Sequence, residues 1–179
     1  MEYKSYYESK IGTIILTSDG NYLTGLWFTT SRFKKLRKVE QNQIQDELKI
    51  FSITKKWLDQ YFNGEKPDLN AVPIKLIGTE FSCRVWEILK KIPYGRTVTY
   101  GEIAEKIANE KGIAKMSAQA VGHAVGHNPI SIIIPCHRVM GSKGNLTGYG
   151  GGIDKKIGLL EIERTDMTNF YIPKKGKAL

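Results

Sequence analysis

Cysteine is scarce in this chain: two residues in 179, Cys83 and Cys136, far apart in sequence. Two distant thiols do not make the disulfide framework of a small secreted domain. A reducing cytoplasm, where a free thiol stays reactive, fits them best. Long apolar runs are also missing. None approaches the roughly 20 residues that span a bilayer, and Met1-Glu2-Tyr3-Lys4 lacks the apolar core of a signal peptide. There is no internal repeat and no low-complexity tract. Acidic residues are the minority charge, 18 against 27 Lys and Arg, which leaves a net charge of +9. Such a chain attracts phosphate backbones or anionic membranes, although charge alone does not separate either from simple solubility.

What is present reads as a globular protein with a real core. The hydrophobic fraction is 41%, and the length suits one generous domain or two small ones. Residues 12–28 predict a hairpin: Ile14-Ile15-Leu16, the turn Ser18-Asp19-Gly20-Asn21, then Tyr22 to Phe28. Residues 30–43 are polar and basic and read as a loop or an exposed helix start. From Ile44 the period changes. Leu48, Phe51, Trp57, Leu58 and Tyr61 recur at helical spacing, and Asn63-Gly64 supplies a stop. Pro67 and Pro73 punctuate a stretch that predicts a strand through Ile74 and Leu76. The expected division is an N-terminal α/β domain (1–75) with a small antiparallel sheet, a mainly α domain (76–165), and a tail (166–179).

In the second part, Thr79-Glu80 precedes a helical pattern of Phe81, Val85, Trp86 and Leu89 that also holds Cys83, expected to be buried. Thr99 and Glu102 have capping-box spacing ahead of Ile103, Ala104 and Ile107. Lys111-Gly112 breaks that helix, and Ser117 caps a second one through Val121, Ala124 and Val125. Two short helices about a glycine-containing break are compatible with a helix-turn-helix, although the break is long for one. The second helix carries Gly122 and Gly126, each costing about 1 kcal/mol relative to alanine. Close approach of the backbone to another surface accounts for that cost; a nucleic-acid groove and a neighbouring helix both qualify.

Ile130 to Ile134 is a β-branched run that predicts a buried strand, leading into Pro135-Cys136-His137-Arg138-Val139. A lone cysteine is most often a small buried hydrophobe. Here an imidazole and a guanidinium adjoin it, and nearby cations favour the nucleophilic thiolate. In a strand, however, neighbours point to opposite faces. Cys136 and His137 cooperate only if the chain turns there or a water bridges them. His123 and His127, four apart on one helix face, raise a metal site as the competing idea, but neither Cys-x-x-Cys nor His-Glu-x-x-His supports it. No metal and no cofactor is expected.

These residues resemble those of the O6-alkylguanine-DNA alkyltransferase family. The resemblance rests on Pro135 to Val139, on Thr97 to Ala104, on Gln119 to Pro135, on Gly148 to Glu163 and on Phe81 to Trp86, in order and over most of residues 80–163. It implies an N-terminal α/β domain and a helical domain with a helix-turn-helix. It also implies a monomer that binds duplex DNA containing O6-alkylguanine through the minor groove and flips the damaged nucleotide out. Cys136 is then the alkyl acceptor, His137 takes its proton through a bound water, and Glu163 orients the histidine. Asn128 ties the hinge before the active-site segment. Tyr100 rotates the phosphate and helps protonate the departing guanine. Gln119, Ala120 and Gly122 of the recognition helix face DNA, Val139 offers a carbonyl to the base edge, and Tyr149 and Gly150 belong to the loop that closes over the base. Arg138 reads as structural, and Glu161 as a solvated helix carboxylate.

One position departs from the family. Gln119 stands where members often carry an arginine that fills the gap left by the flipped base, and glutamine offers no charge and less stacking surface. Other readings are a lesion-binding relative without transfer, from which the presence of Cys136 argues away, a helix-turn-helix regulator, and a Cys-His hydrolase, which would need an oxyanion hole. Lys174, Lys175 and Lys177 read either as a DNA-contacting arm or as a disordered end.

Overall fold

The computed structural model describes residues 2–31 and 39–173. The basic segment after Ser31 and Lys174, Lys175 and Lys177 therefore lie outside the described residues. The N-terminal part builds a four-stranded sheet in the order β3-β2-β1-β4, from β1 (Tyr3–Ser9), β2 (Gly12–Ser18), β3 (Leu23–Phe28) and β4 (Gln43–Ile44). The expected hairpin is β2–β3, paired from Ile14↔Phe28 to Thr17↔Gly25 and then, after a shift in register, at Ser18↔Leu23. The sheet is mixed rather than antiparallel throughout, because β4 adds to β1 in parallel through Tyr3↔Gln43 and Lys4↔Ile44. β1 left no hydropathy signal: its two buried residues are Lys4 and Ser5. Seven consecutive pairs with β2 hold it.

All six residues of β3 are buried. Its outer edge is not left open to pair with another chain. Two later segments stitch it instead, each through one bridge, Leu23↔Ile74 and Leu26↔Ile130. The strand expected through Ile74 and Leu76 is thus a single bridge, made by Leu23 N donating to Pro73 O (2.9 Å) and Lys75 N to Leu23 O (2.9 Å).

The strand expected over 130–134 is likewise a bridge followed by a tight turn. Ile133 N donates to Ser131 O (2.9 Å) and Ile134 N to Ile130 O (3.0 Å), with Ile132 at φ 71. A β-branched residue in the left-handed region is strained by about 1–3 kcal/mol and persists only where its surroundings determine it. Ile132, Ile133 and Ile134 are fully buried. The run is apolar because it is enclosed, which periodicity alone does not tell from a strand.

Helix α1 (Lys49–Phe62) packs its apolar stripe of Ile50, Phe51, Trp57, Leu58 and Tyr61 on the sheet. It stops at Asn63, as expected. In the C-terminal part, α2 (Glu80–Lys90) is capped by the Thr79 side chain and carries Cys83, half-buried rather than buried. α3 (Tyr100–Lys111) opens with the Thr99/Glu102 capping box and closes at left-handed Gly112. α4 (Ala118–Gly126) is capped by Ser117. β5 (Val98–Thr99) and β6 (Val139–Met140) pair in parallel, and α5 (Ile153–Ile162) packs against β6 through Leu160 and Lys156. One apolar cluster runs from Ile14 and Leu26 through Phe51 and Leu58 to Val85, Ile103, Val121 and Ile132. The sheet and the helices therefore share a core. Among the described residues no helix is long and apolar enough to cross a membrane.

Candidate active site

The chain turns at Cys136. Cys136–Arg138 form one turn of 3-10 helix between the 130–134 turn and β6, so Cys136 and His137 do not oppose each other as strand neighbours would. Asn128 secures the approach. Its Nδ2 donates to Ile134 O (2.7 Å) and its Oδ1 accepts from Ile130 N (3.0 Å), so one amide stands in for a neighbouring strand. Burial pushes the Cys136 thiol up, and hydrogen bonds with Asn128 and Ser131 and the nearby Lys156 charge only partly oppose it. At rest the sulfur is protonated and needs a base.

His137 is fully buried, and burial holds its pKa below the usual histidine value although Glu163 pulls the other way. The ring is therefore neutral at pH 7. Its Nε2 lies 2.7 Å from Glu163 Oε1. The carboxylate is an acceptor only, so Nε2 carries the proton and Nδ1 presents a lone pair. Nδ1 is buried and has no hydrogen-bond partner among the described residues.

Glu163, the residue that ends α5, collects five donors. Tyr61 Oη (2.8 Å), His137 Nε2 (2.7 Å) and Arg138 Nη2 (2.9 Å) reach Oε1; Arg138 Nε (2.8 Å) and the Gly95 amide (3.0 Å) reach Oε2. Burial alone would raise this carboxyl, but the hydrogen bonds and charges of His137 and Arg138 hold it well below the usual range. Gly95 is confined to glycine, since its φ is 73 and a Cβ there would meet Glu163 O at 2.9 Å. Arg138 also donates to Ile92 O and lies over the Tyr94 ring, which agrees with its structural reading.

The remaining expected residues surround the thiol or line the outer face. Tyr100, at the start of α3, is buried, and its hydroxyl is close enough to Gly148 that a Cβ there would lie 2.6 Å away. Tyr149 and Gly150 line a cleft with Cys136, Asn128, Ser131 and Phe28. The Val139 carbonyl accepts from Lys156 Nζ (2.6 Å), which also reaches Thr147 O (2.9 Å). On α4, Gln119 is exposed, Ala120 half-buried and Gly122 buried. Gln119 and Ala120 are thus on the accessible side, and Gly122 is against the core. His123 and His127 lie ring against ring at 4.1 Å, and no cluster of three or more His, Cys, Asp or Glu gathers among the described residues.

Three participants escaped the sequence reading. Tyr61 reads there only as part of a helical stripe, and neither Gly95 nor Lys156 is singled out. Lys155 does sit beside Asp154 near the surface, whereas Lys156 is fully buried and its pKa falls to about 8.

A buried thiol, a neutral imidazole aimed by an ion-paired glutamate, and a neighbouring pair of capped helices make up the arrangement that a base-assisted cysteine nucleophile requires. Residues 80–165 match the DNA binding domain of 6-O-methylguanine DNA methyltransferase, and residues 2–76 match its ribonuclease-like domain. The chain belongs to the 6-O-methylguanine DNA methyltransferase family. The methylated-DNA–protein-cysteine methyltransferase of Haemophilus influenzae is 41% identical over 162 residues, 90% of this chain and 86% of that protein. The protein of that name from Methanosarcina acetivorans is 44% identical over 163 residues, 90% and 97% of the two chains. The structure of Mycobacterium tuberculosis OGT in complex with DNA superposes with a TM-score of 0.77 at 42% identity, covering 90% of this chain and 93% of that one.

Proposed function

We propose that this chain repairs duplex DNA by moving the O6-alkyl group of a flipped guanine onto its own Cys136, once per molecule. The observation that carries this reading is the buried thiol beside a neutral His137 whose outer nitrogen is fixed on Glu163. The thiol proton passes to His137 Nδ1 through water. The sulfur attacks the alkyl carbon, the carbon–oxygen bond breaks, and the departing guanine takes up one proton by way of Tyr100, which the proton held on His137 makes good through solvent. The Lys156 ammonium favours the developing thiolate. A thioether results, with no polarised carbonyl for water to attack, so the protein is spent.

The α3–α4 pair acts as the helix-turn-helix, with Gln119 and Ala120 meeting the minor groove. Gly122 lets α4 pack closely behind them. Val139 reads the base edge through the second lone pair of its carbonyl. The cleft at Cys136 has a free volume of about 10 Å³, room for one water at most. A purine enters only when the loop carrying Tyr149 and Gly150 swings out, and that loop then closes over it. The protein works as a monomer in a reducing compartment, the cytoplasm.

The direct test is intact-protein mass after incubation with a duplex containing O6-methylguanine. One added methyl group per chain, never a second, supports the reading. Tight lesion binding with no added mass favours a sensor, and turnover beyond one equivalent favours a hydrolase. A smaller effect is expected at the departing position. Gln119→Arg adds a cation and stacking surface on exposed α4, so affinity for duplex DNA rises about threefold to tenfold at low salt. The slope of log K against log salt steepens by about one. Anisotropy titrations across a salt series measure both, and an unchanged slope would show that residue 119 does not meet the DNA.

A further inference from the structure

Tyr61, at the end of α1, carries the N-terminal part to the His137–Glu163 pair. Tyr61 is 1% exposed. Its ring stacks on Trp57 (5.5 Å, 9°) and meets Phe62 (5.4 Å, 87°) and Tyr94 (6.1 Å, 72°) edge-on. Phenylalanine would satisfy all three contacts. The hydroxyl is what phenylalanine lacks, and in an apolar cluster it costs free energy unless bonded. It donates to Glu163 Oε1 at 2.8 Å and lies 3.4 Å from His137 Nε2, so it touches both members of the base pair.

Glu163 does not need this donor in order to be fixed, because Arg138 grips both oxygens and the Gly95 amide holds one. The Tyr61 hydroxyl adds competition for Oε1, the oxygen on which His137 leans. A carboxylate oxygen that accepts one more hydrogen bond pulls less strongly on each of its other donors.

We propose that Tyr61 is a positioning residue for alkyl transfer: its hydroxyl limits the pull of Glu163 on His137 and so keeps the imidazole neutral and ready to accept the thiol proton. The proposal rests on the alkyl-transfer reading only in naming the proton's source. The charged and titratable groups around the pair are Arg138 and Lys156 toward His137, Arg138 and Tyr94 toward Glu163, and Tyr149 toward Tyr61. None of them takes the place of a donor on Oε1 if the hydroxyl is removed.

The test is a Tyr61→Phe variant of the full chain, read in two ways. First, the ring-proton NMR signal of His137 is followed against pH in the unalkylated protein. Its titration is expected to move up by about half a unit. Second, the acid limb of the single-turnover transfer rate is expected to move up with it, and the rate below neutrality to fall about threefold. Phe62→Leu, which loosens the same ring cluster without touching Glu163, should move neither. If Tyr61→Phe lowers the melting temperature too far to be read, 3-fluorotyrosine placed at position 61 keeps the ring and strengthens the donor. The His137 titration must then move down. An unmoved His137 in Tyr61→Phe, or an equal shift in Phe62→Leu, overturns the proposal. Absence of methyl transfer in the unaltered chain would overturn the alkyl-transfer reading and leave the NMR result to stand by itself.

Discussion

Cys136→Ser is expected to end methyl transfer while leaving the lesion-binding surface intact. Removing the nucleophile of a Cys/Ser-type triad acts on the scale of a millionfold in rate. The reason is proton affinity. His137 is held neutral by burial and can accept a proton from a thiol, but an alcohol gives up its proton far less readily than the Lys156 charge beside it can offset. The fold should hardly notice. Serine is nearly isosteric, it keeps the hydrogen bonding toward Asn128 and Ser131, and the 3-10 turn does not depend on sulfur. A stability change below about 2 kcal/mol is expected. Intact mass after incubation with O6-methylguanine duplex, beside a melting curve and a binding titration, separates the effects. A serine variant that still gains a methyl group would move the acceptor elsewhere, with half-buried Cys83 the first suspect. Peptide mapping would identify it.

How much of this site was legible before the fold was known depends on what each residue does. Cys136, His137, Asn128 and Glu163 were singled out by a family-like pattern spread over residues 128–163, and the structure brings them together about one buried thiol. The helix starts were recoverable because capping is local: Thr79, Thr99 and Ser117 each accept from an amide three residues on. Tyr61 was not, because a tyrosine in an amphipathic stripe is read by its ring, and the destination of its hydroxyl depends on a residue 102 positions away. Lys156 was missed for the converse reason. Its neighbour Lys155 is half-buried and pairs with exposed Asp154, and only the packing of α5 against β6 decides which of the two lysines is enclosed. β1 escaped because its burial comes from pairing rather than from apolar side chains. The 130–134 run misled because enclosure in a turn and enclosure in a sheet demand the same residues.

The N-terminal sheet is also part of the active-site machinery in a mechanical sense. Leu26 holds the 128–134 turn by accepting from Ser131 N (2.9 Å) and donating to Pro129 O (3.0 Å). Thr30 Oγ1 donates to Gly151 O (3.0 Å), and Phe28 lines the cleft. The strained Ile132 is therefore braced from two sides, by Asn128 and by β3. That is the kind of over-determination a positive φ at a β-branched residue requires.

Glu163→Gln carries the second large effect, on both rate and stability. An amide replaces a five-donor acceptor with one oxygen and one NH2. If the NH2 takes the Oε1 position, it faces Tyr61, His137 and Arg138; if it takes the Oε2 position, it faces Arg138 and the Gly95 amide. Either way donors oppose donors. Relief at the first position comes when Tyr61 turns its hydroxyl to accept, or when His137 changes tautomer and accepts at Nε2, which puts its proton on Nδ1 and removes the lone pair that meets the thiol. Transfer is expected to fall roughly 10²–10⁴-fold, the range for loss of a general base or of its orienting carboxylate. Stability is expected to fall by about 3–5 kcal/mol, because Arg138 is left as a buried cation without its partner. The pH dependence of that loss has a definite sign. The folded carboxyl of Glu163 lies below its ordinary value of 4.5. Its contribution is therefore complete above that value and is lost as pH falls through and below it. Urea unfolding of the chain and the variant at pH 7, 5 and 3.5 should show the widest gap at the two higher values and a narrower one at the lowest. A gap that is the same at all three would mean that the carboxylate charge does not hold the group together, and that Arg138 and His137 are fixed by packing alone.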